Sequence, residues 1–138
     1  MNISARIVNK FGAHSVALNT DGSEHSLEIA PKAGGFGSIA NGGELLFLAL
    51  ATCYCNDLYR EAKKRGIEIE RAEVEVSGEF GSEGEPARNV SYRAEVITQA
   101  PRERVLDLMR HTDSVAEIQN TLRRSVPVVL THCEAREV

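Results

Sequence analysis

The chain has 138 residues, 42% of them hydrophobic, and a net charge of −4. That length suits one domain, 1–138, with a core that needs no disulfide staples, and the acidic balance gives no basic footprint for nucleic acid. The longest apolar run is about half the ~20 residues of a transmembrane helix, so no membrane span is expected. Met1-Asn2-Ile3-Ser4-Ala5-Arg6 lacks the basic-then-apolar plan of a secretion signal. The three cysteines, Cys53, Cys55 and Cys133, are odd in number and lack framework spacing, as expected in a reducing compartment. A cytoplasmic protein is expected.

Residues 3–9 and 14–19 read as short strands around the Lys10-Phe11-Gly12-Ala13 turn. Asp21-Gly22 is a hairpin signal, and His25-Ser26-Leu27-Glu28-Ile29 alternates as a third strand. Residues 31–43 form a glycine-rich loop that matches neither the Gly-Lys-Ser/Thr phosphate loop nor the dinucleotide fingerprint. It is read as an approach to the helix, or as a wall of a site at the helix start.

That helix is predicted from about Gly42 to Arg65. Asn41 is an N-cap residue, and Glu44 is placed to reach back to the Asn41 backbone. The run from Leu45 to Cys55 is apolar on all sides except Thr52, which predicts a buried first half. After Cys55, the charged residues Asp57, Arg60, Glu61, Lys63 and Lys64 predict an emerging second half. Gly66 is a natural stop.

Residues 72–80 alternate Val74, Val76 and Phe80 with Glu73, Glu75 and Glu79; residues 90–97 alternate Val90, Tyr92, Ala94 and Val96 with Arg93 and Glu95. They predict a hairpin with cross-strand charge pairs. Glutamates alternating along a strand mark a solvated face, not a metal site. Pro101 suits the first turn of a second helix, carried on by Val105, Leu108, Met109 and Thr112. Ser114-x-x-Glu117 reads as a capping box opening a third helix through Leu122. Val126-Pro-Val-Val-Leu-Thr then predicts an edge strand. The order β-β-β-α-β-β-α-α-β, with no repeat or linker, is that of an α+β fold of helices on antiparallel sheets around a long buried central helix.

Thiol chemistry requires a thiolate, a group that lowers the thiol's pKa and usually a second thiol that resolves the oxidised form. Cys53 is the candidate nucleophile. Cys55 points about 200° away from it around the helix, too divergent for a disulfide without unwinding. Cys-x-Cys with a remote His132-Cys133 departs from zinc spacing, so neither metal nor other cofactor is expected. No Ser or His lies in a recognisable nucleophile context.

The run Asn41-Gly-Gly-Glu-Leu-Leu-Phe-Leu-Ala-Leu-Ala-Thr-Cys53 resembles the Asn-Pro-Glu-Glu-Leu-Leu-x-x-Ala-x-Ala-x-Cys signature of the OsmC/Ohr superfamily, the osmotically inducible protein C and organic hydroperoxide resistance proteins. Ala116-Glu-Ile-Gln-Asn-Thr-Leu-Arg-Arg-Ser-Val-Pro resembles its second motif, Cys-Pro-x-Ser-Asn-Thr-Leu-x-x-x-Val-Pro. The resemblance implies an OsmC-like α+β fold and an intertwined homodimer with sites at the subunit interface. In the peroxidase members a helix Cys attacks a hydroperoxide, a second Cys resolves the sulfenic acid, and an Arg–Glu pair activates the first thiol. Cys53 matches the attacking Cys. Ala116 stands at the resolving position and Gly43 at that of the activating Glu. Glu44 matches the second Glu of the signature, with capping its expected role, and Arg6 is the only Arg in the first hairpin.

Two readings follow. One is a stress-response, thiol-dependent reductase of small organic hydroperoxides, with Cys53 resolved by an external thiol or by Cys55 or Cys133. The other is a non-catalytic protein of the same fold that binds a small hydrophobic molecule at the dimer interface, with Cys53 a core residue. A purely structural role is a third.

Overall fold

The computed structural model describes residues 1–137. It is α+β, with two antiparallel sheets and three helices, arranged in two compact units, Met1–Leu46 and the chain from Phe47 onward.

In the first unit, β1 (Ile3–Lys10), β2 (Ala13–Thr20) and β3 (Ser23–Ser26) form a meander in the order β1-β2-β3. Asp21 at φ 50° and Gly22 at φ 84° make the two-residue turn between β2 and β3, the conformation that Asp-Gly favours. Pairing therefore starts at once, Thr20 opposite Ser23, and β3 lies earlier than the expected 25–29. The glycine-rich loop is tied down by Asn9, whose Oδ1 accepts from the Gly37 N–H at 3.0 Å and whose Nδ2 donates to the Gly37 carbonyl at 3.2 Å.

Helix α1 (Gly42–Lys64) opens with the predicted capping box. The Glu44 N–H donates to Asn41 Oδ1 at 2.8 Å, and the Asn41 N–H donates to Glu44 Oε1 at 3.0 Å. It closes on Gly66 at φ 63°. There the Gly66 N–H reaches the Lys63 carbonyl and the Ile67 N–H the Ala62 carbonyl, the paired bonds of a Schellman stop.

The burial of α1 meets the expectation from its composition only at Leu50 and Tyr54. Its buried stripe is Leu50, Tyr54, Asp57, Leu58, Glu61 and Ala62, whereas Leu48 in the apolar first half is 56% exposed. Two carboxylates are buried in the second half because cations from the same helix neutralise them. Arg60 lies 2.7 Å from Asp57 and 3.0 Å from Glu61, and Lys64 lies 2.8 Å from Glu61.

β4 (Arg71–Glu79) and β5 (Arg88–Ile97) form the second hairpin. Glu75 and Arg93 are directly opposite and 2.6 Å apart, the predicted cross-strand pair. The pairing shifts between Ser77 and Glu79. Here Gly78 is needed because a Cβ would come within 2.7 Å of the Phe47 ring.

The inner face of the hairpin, Val74, Tyr92, Ala94 and Val96, packs on a core of Tyr54, Leu58, Ala62, Ile67 and Leu108. Tyr54 and Tyr92 meet edge to face with centroids 5.0 Å apart. Leu58 and Leu108 are fully buried, and full burial of such a side chain contributes about 1.5–3 kcal/mol.

α2 (Arg102–Val115) begins after Pro101, which is its N-cap and not a helical residue. α2 then runs through Val115, so the capping box expected at Ser114 does not form. Ser114 Oγ donates back to the His111 carbonyl at 2.6 Å, and the N-cap of α3 (Glu117–Arg123) is Ala116, with no side-chain cap. Glu117 is thereby released for other contacts. The ninth element, the strand expected over 126–131, does not form either. Pro127 has no N–H to give to a ladder, no described residue pairs with this segment, and Val128, Val129 and Leu130 are 99%, 73% and 81% exposed.

Candidate functional site

Cys53, Asp57 and Arg60 occupy positions i, i+4 and i+7 of α1, so the helix period lines them up along one face. α3 brings Glu117 to the same place. Cys53 Sγ lies 3.6 Å from Asp57 Oδ2 and 3.7 Å from Glu117 Oε2. Arg60 Nη1 takes the opposite oxygens, Asp57 Oδ1 at 2.7 Å and Glu117 Oε1 at 3.5 Å. Each carboxylate is thus divided between the thiol and the guanidinium.

These contacts set the protonation of the cluster. Burial pushes the Cys53 thiol up, and so do the charges of Asp57 and Glu117, while a hydrogen bond from the Ile118 backbone N–H pulls it down. Burial first, then Glu117, raise Asp57 above the usual carboxylate range against the pull of Arg60. Glu117 is held low, chiefly by its hydrogen bond with Asp57. Of the two, Asp57 is therefore the one that takes up a proton first as the pH falls. Deeper along α1, hydrogen bonds from Lys64 and Arg60 hold Glu61 down to about 2.

A sulfur and one oxygen from each carboxylate lie within 4.8 Å of one another, a donor set that a divalent cation can use. Arg60, however, already pairs with both carboxylates. The cluster is an ion-pair network around a thiol.

Of the residues singled out from the sequence, Cys53 is in this cluster, half-buried. Glu44 is engaged in the cap of α1. Cys55 is half-buried on the same helix, and Cys133 is exposed near the C-terminal end. Ala116 is fully buried immediately before Glu117. The carboxylates that reach Cys53 are Asp57 and Glu117, which the sequence suggested only as a charged helix face and a cap. The i+4 spacing of Asp57 from Cys53 was the available signal, whereas Glu117 comes from 64 residues away.

The sequence profile described as OsmC-like protein matches residues 35–131. The chain belongs to the OsmC-like family. No curated protein matches it, but several solved structures share its fold. An OsmC-like protein from Mycoplasma pneumoniae is 20% identical, with a TM-score of 0.59 over 88% of this chain and 86% of that one. A hypothetical protein from Aquifex aeolicus is 15% identical, with a TM-score of 0.64 over 91% and 89%. An organic hydroperoxide resistance protein OsmC from Legionella pneumophila is 18% identical, with a TM-score of 0.58 over 89% and 90%. This OsmC-like fold thus matches the expectation from the two sequence motifs, without its last strand.

Proposed function

We propose that this OsmC-like protein is a stress-response thiol reductase of small organic hydroperoxides, in which Cys53 attacks the peroxide and an external thiol returns the sulfenic acid to the reduced state. The observation that carries this reading is the position of Cys53. Among the described residues it is the cysteine whose sulfur lies against charged side chains, Asp57 and Glu117, themselves held by Arg60. The hydroperoxide-resistance description of the Legionella structure, which shares the fold, agrees with it. An external reductant fits because the position of the family's resolving thiol holds the buried Ala116.

A homodimer is part of the proposal. It is supported by apolar side chains that a single chain leaves open, among them Phe11, Phe36, Leu48 and Leu130, each more than half exposed. Exposed large apolar side chains of this kind favour association.

The test is consumption of cumene hydroperoxide with a dithiol reductant by wild type and Cys53→Ser. Turnover by wild type and none by the variant is expected; equal, negligible consumption by both would sink the proposal. The second reading, a non-catalytic binder of a small hydrophobic molecule, is favoured by one observation: both carboxylates beside Cys53 oppose formation of a thiolate. It predicts an apolar molecule that co-purifies in native mass spectrometry, or one found by thermal-shift screening. Blanks in both would count against it.

A further inference from the structure

Reduction of a hydroperoxide by a thiol moves a proton as well as an electron pair. In the balanced step, Cys–SH and ROOH give Cys–SOH and ROH. The sulfur lone pair attacks the terminal peroxide oxygen, the O–O bond breaks, sulfur is oxidised by two electrons, and the departing RO⁻ must take up a proton. The one lost from the thiol is available if something carries it across.

We propose that Asp57 and Glu117, clamped together by Arg60, are the acid–base pair that accepts the Cys53 proton and delivers it to the leaving alkoxide, a role that rests on the reductase reading above. Both carboxylates turn one oxygen to Sγ, at 3.6 and 3.7 Å, and the other to the guanidinium. They differ in exposure: the Asp57 side chain is 7% exposed and that of Glu117 is 62% exposed. Asp57 is therefore the inner member beside the thiol, and Glu117 the outer member that an entering peroxide meets. Electrostatics alone cannot make this pair activating, because two carboxylates beside a thiol oppose its ionisation. They assist catalysis only by moving the proton in step with the attack. The charged and titratable groups facing the pair are Cys53 and Arg60 from α1, and the backbone N–H of Ile118 from α3 also points at the sulfur.

Glu117→Gln in the full chain separates the two roles, and the exposure of this side chain leaves the fold intact. Two rates are read at Cys53 by site-resolved peptide mass spectrometry: loss of the free thiol to cumene hydroperoxide, and alkylation by iodoacetamide, whose leaving iodide needs no proton. A proton carrier predicts opposite changes. Alkylation rises severalfold because a negative charge is gone, while oxidation falls by about tenfold or more, general acid–base catalysis being worth roughly 10²–10⁴-fold. Glu117→Asp is expected to restore part of the oxidation rate. Both rates moving in the same direction would overturn the proton-carrier role and leave the reductase reading standing. Wild-type Cys53 that is alkylated but not oxidised by hydroperoxide would overturn both.

Discussion

Arg60 joins the buried half of α1 to the thiol, so Arg60→Gln is the most informative single change. The variant keeps an uncharged polar side chain, shorter than that of Arg, and loses the charge that lies 2.7 Å from Asp57, 3.0 Å from Glu61 and 3.5 Å from Glu117. Glu61 retains Lys64 at 2.8 Å and Arg65 at 3.9 Å, so the deficit falls on Asp57, whose side chain is only 7% exposed. A hydrogen bond to a charged group contributes about 1.5–3 kcal/mol. Arg60 is 43% exposed, and discounting for solvent screening leaves about 1–2 kcal/mol. With an unfolding entropy of roughly 2.1 cal/mol/K per residue, that is a fall in Tm of about 3–7 °C.

The sign of its pH dependence follows from Asp57. Its folded pKa is already raised, chiefly by burial, and Arg60 opposes the rise. Removing Arg60 raises it further. A group with a folded pKa above its unfolded value favours folding in its protonated form and costs stability once ionised. The variant's deficit is therefore full above the folded pKa and shrinks as the pH falls through it towards the unfolded value. Tm by circular dichroism, for both proteins between pH 7 and 4.5, measures it. An unchanged Tm, or a deficit that does not vary with pH, would refute the clamp.

Leu58→Ala removes a fully buried side chain from between Tyr54, Ala62 and Leu108, and a loss of about 2–5 kcal/mol in urea unfolding is expected; less than about 1 kcal/mol would mean that this core is not the one that holds the fold. Asn41→Ala deletes half of the capping box and should cost about 0.5–2 kcal/mol, while Asn41→Gly costs a few tenths; equal losses in urea unfolding would argue against the cap. Glu61, held down to about 2 by Lys64 and Arg60, stabilises the fold above the unfolded carboxylate range. That stability is lost as pH falls towards 2. Acid titration of wild type and Glu61→Gln should therefore show a gap at pH 7 that closes in strong acid, and a gap that persists there would contradict the assignment.

Local rules read much of this fold from the sequence. Strand alternation in β4 and β5, the Asp21-Gly22 turn, the Asn41/Glu44 box and the Gly66 stop depend on neighbours within a few residues, and all appear as expected. What local reading missed has more than one cause. Charge on the second half of α1 looked like a solvent face, yet Asp57 and Glu61 are buried because Arg60, Lys64 and Arg65 lie within one turn to neutralise them. Ser114-x-x-Glu117 has the letters of a capping box, but α2 continues through Val115. The last apolar run has the composition of a strand without a pairing partner among the described residues. Cys53 was legible as a position from the family signature, whereas its neighbours were not, since Glu117 meets it only through the packing of α3 on α1.

The central claim is that Cys53 is the thiol that meets the peroxide. Equimolar cumene hydroperoxide followed by dimedone, which captures sulfenic acid, and peptide mass spectrometry across all three cysteines tests it directly. The adduct is predicted on Cys53, with none at that position in Cys53→Ser. Adducts on Cys55 or Cys133 with Cys53 unmodified would contradict it.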